Sequence, residues 1–165
     1  MNAEKHRPHF IAILSFMAVL MANVAFAGNV QKTATKLNRI AVAEVAIRGY
    51  DPVAYFESGK PTPGNGYHTA THHGVTYLFA RKEHQEKFNA NPEKYAPQYG
   101  GYCAYGVAVG KKFYTDPTAW KIVDGKLYLN LDKKIQSKWN EDITGYIEKA
   151  DTNWTTIQDK HPSEL

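Results

Sequence analysis

The chain has 165 residues, 43% hydrophobic and 13% aromatic, with a formal net charge of +4. That length suits one domain, and the mild charge, with Lys111-Lys112 and Lys133-Lys134 as isolated pairs between acidic residues, excludes a nucleic-acid surface. A single cysteine, Cys103, excludes an intrachain disulfide, so packing must hold the fold.

Residues 1–27 read as a signal peptide. Lys5, His6 and Arg7 form a basic start, Phe10 to Val24 is almost wholly apolar, and Ala25-Phe26-Ala27 has the small-x-small cleavage pattern. The apolar run falls short of the roughly 18 residues that a spanning helix needs. A secreted or periplasmic protein with no stable membrane insertion after cleavage is therefore expected. Residues 28–48 form an N-terminal leader, polar up to Lys36 and then apolar-rich from Leu37 to Ile47.

The domain itself is placed at 49–158. Asp51-Pro52, Asn91-Pro92 and Asp116-Pro117 each set a capping side chain before a proline, which predicts helical turns at 52–57, 92–95 and 117–120. Tyr67 to His72 and Val75 to Phe79 predict two strands joined by a tight turn at His73-Gly74. A helix is expected over Arg81 to Asn89, with Ala80, His84 and Phe88 on one face and Glu83 paired with Lys87. Asp124-Gly125 between two β-prone runs predicts a second hairpin over Lys121 to Asn130. Two C-terminal helices follow, at Asp132 to Trp139 and Asp142 to Ile157, and His161 to Leu165 reads as frayed. The order describes an α+β fold: a small antiparallel sheet of β-hairpins packed by short helices and the C-terminal helices.

Asp51-Pro52-Val53, Gly74-Val75-Thr76-Tyr77-Leu78-Phe79 and Phe88-Asn89-Ala90-Asn91-Pro92-Glu93-Lys94-Tyr95 resemble the YHS domain. The match covers roughly 51–95. The stretches Tyr99 to Gly106 and Asp116 to Asn130 resemble a longer, exported subfamily, in which the position of Cys103 can be a selenocysteine. The resemblance implies a module related to metal-binding treble-clef-like and TRASH-type domains. Metal-binding members place cysteines at the positions that here hold Ala54, Ala80 and His84, so the usual thiolate site does not carry over. One of the three positions keeps a metal-capable side chain.

Three functions follow as expectations. The first is weak or transient binding of copper or zinc, which accept thiolate and imidazole ligands, through Cys103, His84, His68 and His72. On a regular strand His68 and His72 share a face, whereas His73 points away or lies in the turn. The second is thiol redox chemistry at Cys103 with a redox partner protein, since the chain has no resolving cysteine. Gly100, Gly101 and Gly106 around Cys103 predict a bent backbone that brings the thiol to the surface of a concavity. The third is a structural or interaction module built on the tyrosine-glycine segment. No hydrolase constellation, phosphate loop or dinucleotide fingerprint is present, which favours binding over catalysis.

Overall fold

The computed structural model describes residues 45–165. The segment expected to be a signal peptide, 1–27, and the expected leader up to residue 44 lie outside the described residues. After a 3-10 turn at Ala46–Gly49, the element order is α1 (Pro52–Glu57), β1 (Asn65–His72), β2 (Val75–Phe79), α2 (Lys82–Ala90), α3 (Pro92–Tyr95), a 3-10 turn (Gln98–Gly101), α4 (Ala104–Ala108), β3 (Asp116–Val123), β4 (Lys126–Asn130), α5 (Lys133–Trp139), α6 (Ile143–Ile157) and a last 3-10 turn (Pro162–Glu164). The fold is α+β. Among the described residues each hairpin forms its own two-stranded antiparallel sheet.

Local chemistry explains most boundaries. The Asp51 carboxylate caps α1 by accepting from the amides of Val53 and Ala54, and Asn91 caps α3 through the amide of Lys94. In both helices proline fills the first position, where no amide hydrogen is needed. Asp132 and Asp142 cap α5 and α6 in the same way. Both hairpin turns have positive φ at both central residues, His73 (49°) with Gly74 (77°) and Asp124 (50°) with Gly125 (73°). That is the type I′ geometry whose twist matches the flanking strands.

Asp116-Pro117 does not start a helix. It opens β3, where Asp116 pairs with Asn130 and the register then jumps to Trp120 against Leu129. The Asp116 side chain accepts from the amide and hydroxyl of Thr118, a two-residue turn that competes with a helix cap, and the irregularity accommodates a proline that cannot donate to the ladder. Lys87 reaches Glu57 at 2.6 Å, not Glu83, while Lys82 pairs with Glu86 at 3.2 Å along α2. The C-terminus is not frayed. His161 and Glu164 close a reciprocal capping box around the last 3-10 turn.

Two apolar cores form on either side of β4. Leu127 and Leu129 point into a core with Val53, Tyr55, Tyr77, Phe79, Phe88 and Tyr95. Tyr128, from the alternate position, points into a second core with Tyr99, Val107, Trp139, Ala150 and Ile157. Period-two alternation thus makes one short strand the partition between two cores. No helix among the described residues is long and apolar enough to cross a membrane.

Candidate functional site

The four residues expected to bind metal do not come together. Cys103 lies at the N-cap of α4 with no solvent exposure. Its amide donates to the Phe113 carbonyl at 3.0 Å, and its Sγ accepts from the Gly106 amide at 3.3 Å. The thiol also approaches the Asn130 Oδ1 at 3.7 Å. Burial pushes the Cys103 thiol above its ordinary range, opposite to what a reactive cysteine needs. The expectation of a thiol on the surface of a concavity is therefore corrected: Cys103 is an interior capping group. Gly106 is small for the same packing reason, since a Cβ there would lie 2.7 Å from Cδ2 of Phe113.

His84 is also interior, its side chain 4% exposed. Its Nδ1 meets Oδ2 of the fully buried Asp51 at 2.6 Å. The same carboxylate accepts from the amides of Val53 (2.9 Å), Ala54 (3.3 Å) and Ala80 (2.8 Å). Asp51, in the sequence only a helix cap, is thus the fastener of α1, the end of β2 and α2. The Nε2 of His84 is enclosed with no hydrogen-bond partner. His68 lies where the register of β1 is interrupted, between the Asn65–Phe79 and Thr69–Leu78 pairs, so the regular alternation that aligns it with His72 does not hold.

His72 alone of the four sits in a group of potential ligands, with His73 and Glu93. One donor atom from each lies within 4.8 Å of the others, the one such group of three among the described residues. The Nε2 of His72 is 3.0 Å, and that of His73 3.3 Å, from the same Glu93 Oε1. The two imidazole centroids are 3.9 Å apart.

Of the two places that the sequence leaves for His73, pointing away from His72 or lying in the turn, the structure shows the turn. His73 has left the strand and taken the left-handed first position of the type I′ turn, which swings its ring back beside His72. His72 is anchored by an edge-on contact with Phe88, centroids 6.0 Å apart. Glu93 comes from the first turn of α3, set by the Asn91 cap and Pro92. The hydrogen bond with His73, and next that with His72, hold the Glu93 carboxyl below its usual range. In the sequence Glu93 is only part of a helix start. Its role is visible once the hairpin tip is seen against α3.

The cluster lines part of a cleft of about 770 Å³. Tyr77, Tyr99, Tyr102 and Trp154 line it, together with Lys112 and Lys160. Lys112 is 6% exposed and donates to the carbonyls of Gln158 and Lys160, each at 2.7 Å. Its Nζ lies 5.1 Å from the centroid of the Tyr102 ring and 5.1 Å from that of Trp154. Comparison of the chain with protein-family models, curated proteins and solved structures finds no match.

Proposed function

We propose that this chain is an exported YHS-type domain that binds a transition-metal ion, copper or zinc, weakly or transiently at His72, His73 and Glu93. The observation that carries the reading is the meeting of two imidazole nitrogens on one carboxylate oxygen, at 3.0 and 3.3 Å. Two neutral imidazoles and a carboxylate suit a borderline divalent ion, and three protein ligands leave a coordination position open. His73 and Glu93 are 77% and 75% exposed, which gives an ion a short path in and out and fits transient holding better than a closed structural site. The YHS assignment is supported by the convergence of Ala54, Ala80 and His84 on Asp51, since the resemblance sets those three positions around one centre.

Calorimetric titration of the purified protein with Zn(II) and Cu(II) tests the reading. Glu93→Gln and His73→Ala should each weaken binding at least tenfold, whereas Cys103→Ser, if folded, should leave it unchanged. Binding should also weaken on acidification, since a protonated imidazole cannot act as a ligand. Absence of binding in the unsubstituted protein rejects the reading. Equal affinity in Glu93→Gln and His73→Ala rejects the site.

A further inference from the structure

The His72–His73–Glu93 cluster and the aromatic cleft are one continuous concavity, and the cleft is larger than a metal ion requires. Its volume of about 770 Å³ falls within the roughly 300–1,000 Å³ of small-molecule sites. We propose that this cleft binds a small planar aromatic carboxylic acid, whose oxygen completes the coordination of the metal at His72, His73 and Glu93. The proposal rests on the metal reading above and adds the class of ligand.

Three observations select the class. The walls are rings: Trp154 lies 5.8 Å from Tyr99 and 6.5 Å from Tyr102, centroid to centroid, so the faces and edges that line the space are flat and apolar. Such walls favour planar ligands through offset or edge contacts. Apart from the cluster, the charged side chains that line the cleft are Lys112, Lys160 and Asp159, an excess of positive charge. Lys112 is held in place by two carbonyls and two rings, and Lys160 is exposed. The cluster contributes a single carboxylate, so a divalent ion held there keeps excess positive charge and an open coordination position. An acid with its ring against the aromatic lining and its carboxylate toward the ion satisfies both the walls and the charge. A neutral aromatic satisfies only the walls, and an aromatic cation is repelled by the ion and by the lysines.

The experiment uses the whole exported protein, with Zn(II) as the metal and 4-hydroxybenzoate as the acid, followed by calorimetry and tryptophan fluorescence. The Zn-loaded protein should bind the acid at least tenfold more tightly than the metal-free protein. Trp154→Phe and Lys160→Glu should each weaken acid binding severalfold while leaving Zn(II) affinity within twofold. Thermal melting checks that both variants are folded. Lys160→Glu, at an exposed position, guards against a folding defect at Trp154. Zn(II) binding with acid affinity that is independent of the metal, or unchanged in both variants, overturns this inference and leaves the metal reading standing. No Zn(II) binding overturns the metal reading and this inference with it.

Discussion

Replacing Asp51 tests the account of how this domain is fastened. In Asp51→Ala four donors lose their acceptor at once: the amides of Val53, Ala54 and Ala80, and Nδ1 of His84. Loss of a helix cap costs about 1 kcal/mol. Each further buried donor left without a partner costs roughly 1–3 kcal/mol. Neither Ala80 nor His84 can turn to water cheaply, since His84 is 3% exposed and Ala80 is half-buried. Relief of carboxylate burial offsets part of the sum, so the expected loss is about 4 kcal/mol, a large share of the roughly 5–15 kcal/mol that holds a domain.

Asp51→Asn keeps the shape and one acceptor oxygen, which can still cap α1. Its amide group then faces both partners of Oδ2, the Ala80 N–H and Nδ1 of His84; a switch of tautomer lets His84 accept from it, so the Ala80 N–H alone is left unmet and the expected loss is about 2 kcal/mol. Urea denaturation of both variants and of the wild type measures the differences, provided the slope is unchanged. A double-mutant cycle with His84→Ala should show coupling of about 1–2 kcal/mol, because the two residues share one hydrogen bond. A loss in Asp51→Ala under about 1 kcal/mol, or equal losses in the two variants, refutes the reasoning.

Three further outcomes are expected. Native protein at pH 8 should resist aromatic disulfide thiol reagents and label at Cys103 only after denaturation, since the thiol is unexposed; its raised folded-state value means that this contribution to stability is full below the unfolded thiol range and is lost as pH rises through the folded value. Gly106→Ala should cost about 1–3 kcal/mol in the same urea assay, because the added methyl meets Phe113 at 2.7 Å; a neutral result means that the Phe113 ring moves aside freely. The Glu93 carboxyl, followed by NMR, should titrate below the ordinary glutamate range, so its contribution is present above the unfolded value and lost as pH falls through the folded one; in His73→Ala its midpoint should rise.

The elements are legible in the sequence wherever local chemistry decides them. Asp51-Pro52, Asn91-Pro92, His73-Gly74 and Asp124-Gly125 each carry their conformation in two residues, and the structure uses all four in that way. Asp116-Pro117 has the same local signature and a different outcome, because pairing with Asn130 across the second hairpin outweighs an incipient helical turn. Helix α4 is hidden for the converse reason. Its five residues, Ala104 to Ala108, include a glycine and two β-branched or aromatic side chains, Val107 and Tyr105, so propensity says little and packing against the second core decides.

Cys103 and His73 show why the site is harder to read than the fold. A lone cysteine among glycines and tyrosines suggests a functional thiol, yet its neighbours serve the interior. Tyr99 packs in the second core, and Gly106 admits Phe113 beside the thiol. The same small and aromatic residues suit a pocket and a tight core equally well, and only tertiary placement separates the two. His73 shows the limit of a periodic rule. Alternation along a strand assigns adjacent histidines to opposite faces, but that rule ends where the strand ends. The dipeptide His73-Gly74 already marks a type I′ turn, and the left-handed conformation of its first residue is what brings the two rings together. The pairing of His72 with His73 is therefore contained in the turn signal. The third member, Glu93, is not, because only the packing of α3 beside the tip of the first hairpin brings a carboxylate to both rings.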